Sequence, residues 1–199
     1  MQNQIASPIG VSGVHTGAVS RLRPVGIVLV ASLLLALCAR IALPLNFIPV
    51  PLTLQPFGVL LLGLLLSPRL AVASICAYLV EGASGLPVFA PTVAGSAGLA
   101  HLLGPTGGYL AAYPFAAALI SFVWRRSGRG FSMAIASAAL GDVLILACGA
   151  VWLMASAHIS ANSAMSSALA FLPGEALKIA SAAGIATAWQ RARSRGERQ

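Results

Sequence analysis

Apolar residues run along this chain in long blocks, divided by short clusters of proline, glycine, serine and arginine. Residues 1–23 are Gly/Ser-rich and aperiodic and read as a mobile tail (1–24 with Pro24). Pro24 opens the first block, Val25 to about Leu43, long enough as a helix to cross roughly 30 Å of hydrocarbon. Pro44, Pro49, Pro51 and Pro56 then forbid regular helix through most of "PLNFIPVPLTLQP", an extended loop. A short second span follows, about Leu54 to Leu66; "SPR" at 67–69 breaks it, and a third runs to about Ser84. Residues 85–105 are apolar yet rich in Gly and Pro, and irregular backbone at membrane depth requires cover by protein or a cavity to line. This stretch is expected to be a structured cap or re-entrant loop. The fourth span is Thr106 to Trp124, the fifth Phe131 to about Ala155, and "SAHISANSAMSS" is a polar connection. The sixth begins at Pro173, a favoured first-turn residue, and ends near Trp189, before a basic tail over 191–199.

The expected fold is therefore all-α: a bundle of six transmembrane helices over residues 25–190, with a Gly/Pro-rich outer loop between helices 3 and 4. Composition agrees. The 199 residues are 58% hydrophobic and 8% charged, and the mean hydropathy is +0.91. So few charges cannot cover a chain of this length in water, and lipid must be its solvent. The net charge of +8 comes in clusters beside apolar runs, the pattern of topology control, with no aromatic-interleaved basic stripe for nucleic acid. With six spans and both termini in the cytoplasm, Arg21, Arg23, Arg69, Arg125, Arg126, Arg129, Arg191, Arg193, Arg195 and Arg198 all fall inside, leaving Arg40 and Lys178 toward the outer face. Arg21 and Arg23 before "VGIVLVASLLLALCA" imitate a secretory signal, but the apolar chain that follows favours a retained first helix.

Cys38, Cys76 and Cys148 lie within apolar runs and read as buried small residues; His15, His101 and His158 have no i, i+4 partner, so no metal site is expected. Arg40 reads as an interfacial anchor, Glu81 as part of a structural pair, and Asp142 as a structural hydrogen-bonding group ahead of a proton relay. Glu175 and Lys178 in "FLPGEALKIA" are three residues apart and share one helix face. They offer acceptors and donors together, suited to a ligand with N–H donors and a carbonyl or carboxylate. The competing reading is a self-satisfied ion pair snorkelling to the interface; the irregular outer loop nearby favours the ligand site. "GPTGGY" at 104–109 has no G-K-[ST] and is no phosphate loop, and "GASG" at 82–85 lacks the spacing of a nucleophile elbow. A membrane enzyme using Glu175 and Lys178 as acid and base would need a nucleophile or metal that the sequence does not offer.

"PVPLTLQPFGVLLLG" at 50–63, "GLPVFA" at 85–90, "LLGPTGGYLAAYP" at 102–114 and "LPGEALK" at 172–178, in this order and spacing, resemble the BioY family, the biotin-specific substrate-binding components of energy-coupling-factor vitamin transporters. The resemblance covers roughly residues 25–190. It implies a multi-pass protein of the bacterial cytoplasmic membrane that mediates biotin uptake without being an enzyme and without a cofactor. A transmembrane coupling subunit and a pair of ATPases would be its partners, besides lipid. It also implies a biotin site near the outer face closed by the loop between helices 3 and 4. In the family an acidic residue three before a lysine at the start of the last helix contacts biotin. That pattern maps onto Glu175 and Lys178, with Glu where Asp is common. His101 is the candidate from the outer loop, Phe89 a cover for the ligand ring, and Gln55 and Tyr109, inside the shared motifs, complete the set. The family's first helix supplies small residues to the coupling contact, and Ser32 to Ala36 keeps such a spacing, equally open to ordinary internal packing. Alternatives that stay open are a stand-alone or proton-coupled biotin transporter, with Asp142 as relay, and a component for another small vitamin.

Overall fold

The computed structural model describes residues 16–43, 50–91 and 96–196. In chain order the elements are α1 (Thr16–Arg40), β1 (Ala42–Leu43), β2 (Leu52–Thr53), α2 (Gln55–Leu65), α3 (Pro68–Ala83), α4 (Leu99–Leu103), α5 (Gly107–Arg126), α6 (Phe131–Ala157) and α7 (Ala161–Gly196). The chain is thus mostly helical. The prolines before α2 leave room for only a two-residue antiparallel ladder, Ala42 opposite Thr53 and Leu43 opposite Leu52. Residues 44–49 of the expected extended loop and 92–95 of the outer loop lie outside the described residues, as do 1–15 and 197–199.

α2 sits at the centre. It is buried along its whole length except at Phe57 and Leu65, and it touches α1, α3, α5, α6 and α7. α5 packs along α6, α6 along α7, and α1 along α3. The α5–α6 approach is close at Gly108, where a Cβ would run into Trp152 and stand 2.7 Å from the Cys148 carbonyl oxygen. Small residues let membrane helices approach in this way.

The surface is inverted relative to a protein dissolved in water. Leu33, Leu37, Phe115, Val151 and Leu177 are exposed, while Ser32, Gln55, His101, Asp142, Glu175 and Lys178 are buried. Exposed apolar area of this extent marks a lipid-facing surface. Four described helices are long and apolar enough to cross a membrane: Leu22–Arg40, Gly107–Arg126, Phe131–Ala157 and Leu169–Gly196. α2 is apolar but spans only about 16 Å at the helical rise.

Several expectations change. Helix α1 begins at Thr16, inside the stretch read as a tail, and carries Pro24 within it. The last helix begins at Ala161 rather than Pro173, so most of the expected polar connection is helix. Ser160 caps its start, its Oγ accepting from the Ser163 amide at 3.2 Å. The turn before it is made by His158 in the left-handed region at φ 51°, which ends α6. The same helix runs through the basic stretch to Gly196. Only Cys38 of the three cysteines is buried; Cys76 and Cys148 lie on the apolar exterior.

Candidate ligand-binding site

Polar side chains that the interior cannot leave unpaired converge at one end of the bundle. That end holds the N-terminal parts of α2 and α5, the middle of α7 and the loop carrying α4. A cavity of about 40 Å³ lies there, lined among others by Thr53, Gln55, His101, Thr106, Tyr109, Tyr113, Glu175 and Lys178. Val50, Leu52, Leu110, Ile145 and Phe171 supply apolar wall.

The face-sharing that helical spacing predicts for the pair holds on α7. Lys178 Nζ donates to Glu175 Oε1 at 2.8 Å, with Lys178 8% and Glu175 3% exposed. Burial of this degree argues against a snorkelling pair, whose charges stay in contact with water. Glu175 Oε2 is buried and receives no donor from a backbone or basic group, and the neighbouring carboxyl of Asp142 can hydrogen-bond to Glu175 only when protonated. A carboxylate oxygen left so inside a protein is costly, and a donor supplied by a ligand would remove the cost.

On α2, Gln55 Nε2 donates to the Tyr78 hydroxyl at 2.6 Å, and that hydroxyl donates to the Val88 carbonyl at 3.3 Å. This chain ties the mouth of α2 to α3 and the outer loop. His101 on α4 is fixed on both nitrogens. Nδ1 lies 3.3 Å from the Ser96 carbonyl, which can only accept, so Nδ1 carries the proton and Nε2 accepts from the Thr106 hydroxyl at 3.3 Å. Burial pushes the His101 pKa below its ordinary 6.5, only partly offset by the bond to Ser96.

Phe89 does not line the cavity. Its ring stacks on the His101 imidazole, with centroids 4.8 Å apart, meets Tyr78 edge-on at 5.4 Å, and fills the space over Gly82. It therefore holds His101 from behind. The loop is tethered further by Arg40, which donates to the Pro87 carbonyl, and by Trp152, whose Nε1 donates to the Gly104 carbonyl at 2.8 Å. Arg40 is thus a loop anchor, and Glu81 accepts from Ser32 Oγ at 2.9 Å, with no cation paired to it among the described residues. That bond also turns Ser32 into the α1–α3 contact, the internal-packing alternative for the small-residue stripe.

Five of the six candidate residues, Gln55, His101, Tyr109, Glu175 and Lys178, meet at the cavity. Sequence reasoning missed Thr53, Thr106 and Tyr113. Tyr113 lies one helical turn beyond Tyr109, and that spacing in "GGYLAAYP" carried the signal. Asp142 of α6 is buried beside Glu175, close enough to share a side-chain hydrogen bond with it when protonated, and within electrostatic reach of Lys178, in keeping with the structural bonding expected of it.

Residues 11–195 match the BioY family. The chain belongs to the BioY family. A curated relative named Biotin transporter BioY, from Lactococcus lactis subsp. cremoris, is 35% identical over 68% of this chain and 73% of its own length. Another of that name, from Rhizobium etli, is 32% identical over 78% of this chain and 86% of its own. Among solved structures, the S-component for biotin from an ECF-type ABC transporter superposes with a TM-score of 0.80 at 26% identity, covering 90% of this chain and 95% of that one. The BioY family is one of transporters, and the bundle with its lipid-facing exterior is a membrane fold of that kind.

Proposed function

We propose that this chain is the biotin-binding component of an uptake system and that biotin binds at the Glu175–Lys178 end of the bundle. The observation that carries this is the buried Glu175–Lys178 pair in the cavity wall, which sets an acceptor and a donor side by side. Biotin offers a ureido ring with two N–H donors and a carbonyl, an apolar thioether ring and a valerate carboxylate. Glu175 accepts from a ureido N–H, Lys178 donates to a biotin oxygen, and Leu110, Ile145 and Phe171 meet the apolar parts. Gln55, His101 and Tyr109 complete the polar lining.

A cavity of about 40 Å³ has room for a few waters at most, whereas small-molecule pockets measure about 300–1,000 Å³. Admission of biotin therefore requires the roof to move. The segments able to do so are 50–53, held by the short ladder to β1 and the bond from Gln55 N to Thr53, and 96–106, held to α6 by Trp152 donating to the Gly104 carbonyl. The loop between the third and fourth spans acts as the lid.

The full reading has six spans, α1, α2, α3, α5, α6 and α7, with both termini in the cytoplasm and the site toward the outer face. The positions of the arginines support it. Nothing in the site supplies free energy from ATP, so coupling falls to a transmembrane subunit and a pair of ATPases. A second reading is proton-linked uptake, favoured by the buried Asp142 carboxyl beside Glu175 and near Lys178. Uptake that persists without ATPase subunits and collapses with the proton gradient would select it.

The test is isothermal titration of biotin into the detergent-purified protein and its Glu175→Ala and Lys178→Ala variants. The parent is expected to bind and both variants to bind at least about tenfold more weakly. Parent-like binding by both variants would sink the site assignment, and no binding by the parent would sink the ligand.

A further inference from the structure

A second cavity, of about 360 Å³, lies at the opposite end of the bundle from Glu175 and Lys178. It is set among the C-terminal ends of α2, α5 and α7, and Arg125, Arg129, Arg193, Trp124, Trp189 and Gln190 are in its lining. No carboxylate lines it among the described residues. Arg125 and Arg129 stand within electrostatic reach of each other, a repulsion that an anion between them would relieve. Arg125 is held by its Nε, which donates to the Leu66 carbonyl at 3.4 Å, leaving its two terminal nitrogens outside that bond. Arg126 is engaged elsewhere, over the Phe122 ring at 4.5 Å.

We propose that this cavity binds the phosphate of an anionic phospholipid headgroup. Guanidinium groups bind phosphate oxygens in paired hydrogen bonds, and basic pockets between membrane helices suit such headgroups. The surroundings select a lipid over a soluble phosphate. Leu64 and Leu65 belong to the same lining and give an apolar floor for the glycerol and the first acyl carbons. Trp189 is 64% exposed beside the arginines, at the headgroup level where indole rings collect. One turn before it on α7, Ile185 is exposed and continues an apolar track for an acyl chain toward the bilayer centre. The inference rests on the six-span reading only for the leaflet, the cytoplasmic one, and is independent of the ligand at the other end.

The experiment places the full chain in nanodiscs of phosphatidylcholine alone or of an equal mixture with phosphatidylglycerol, and follows thermal unfolding. The mixture is expected to raise the Tm by about 5 °C. The double variant Arg125→Gln/Arg129→Gln should lose that shift while keeping its phosphatidylcholine Tm, and Arg125→Lys/Arg129→Lys should retain part of it, because the charge stays. Inorganic phosphate added to the detergent-purified protein should give no shift. Equal Tm values in the two nanodiscs, or a parent-like shift in the glutamine variant, would overturn the proposal. A shift with inorganic phosphate alone would overturn the lipid as source in favour of a soluble anion. Loss of ATPase-module co-purification by the glutamine variant with its lipid shift intact would make the cavity a protein contact and overturn the proposal as well. Biotin binding, measured in parallel, separates failure here from failure of the uptake reading.

Discussion

Lys178 and Glu175 each satisfy part of the other's bonding capacity in a place with little water. Removing either strands the survivor, so the alanine variants lose more than one ligand contact. The cost is about 1–3 kcal/mol or more for a charged group. Lys178→Arg should not restore binding, because the planar fork of a guanidinium is larger and shaped differently from an ammonium. Glu175→Asp should be the mildest change, since it keeps the carboxylate; titration of each variant with biotin checks the order. His101 gives a prediction in pH. Its neutral form is favoured in the folded chain, so stability from this group is complete above pH 6.5 and is lost as pH falls below it. The Tm of the parent should fall on acidification below about 6.5 more steeply than that of His101→Gln, measured by thermal unfolding. Equal slopes would remove His101 as the sensitive group. Residue spacing made Glu175 and Lys178 legible in the sequence, because i, i+3 neighbours on a helix need no tertiary information. Asp142 and Thr106 were not legible as neighbours of this site, since α6 and the loop after α4 reach it only through packing.

At the level of elements, the sequence marks where helices stop better than which face they bury. The ends of α2 at "SPR" and of α5 at "RRSGRG" follow from breakers and charge. The start of α7 does not, because Pro173 invites a first-turn reading, whereas a membrane helix tolerates an internal proline when neighbours satisfy the freed carbonyl. Facing is harder still. In lipid, outward and inward positions are both apolar, so nothing in "SICAYL" or "ILACGA" says that Cys76 and Cys148 point outward. Glycines carry more of this information. A Cβ on Gly82 would collide with the Phe89 ring, and one on Gly108 with α6 itself. Gly108→Ala should therefore destabilise the bundle by about 1–3 kcal/mol through the α5–α6 contact, reaching the ligand site only through the Trp152 tether to Gly104. Gly82→Ala should instead displace Phe89, loosen His101 and weaken biotin binding. Thermal unfolding and biotin titration on both variants separate the two effects; a Gly82→Ala protein that binds like the parent would show that Phe89 does not support the site.

Across the whole molecule, the placement of charge bears on the proposed orientation. The chain carries twelve Lys and Arg residues, and six spans with internal termini leave only Arg40 and Lys178 toward the outside. Both exceptions are occupied there: Arg40 holds the Pro87 carbonyl of the outer loop, and Lys178 holds Glu175 in the site. The basic residues of the inner end, Arg125 and Arg129 among them, surround the proposed headgroup cavity, so the feature that fixes orientation also meets the anionic leaflet. The consequence is open to labelling in intact cells. In a background lacking Cys38, Cys76 and Cys148, a cysteine at Asn162 should react with a membrane-impermeant maleimide, because the α6–α7 turn and the capped start of α7 are exposed and face outward under the proposed six-span topology. A cysteine at Gly128, exposed in the α5–α6 turn, should react only after the cells are opened. An odd number of spans would send one of the two terminal arginine clusters outward, against the charge rule, and would reverse or equalise the two labels. The reverse pattern would overturn both the six-span topology and the assignment of the ligand cavity to the outer face.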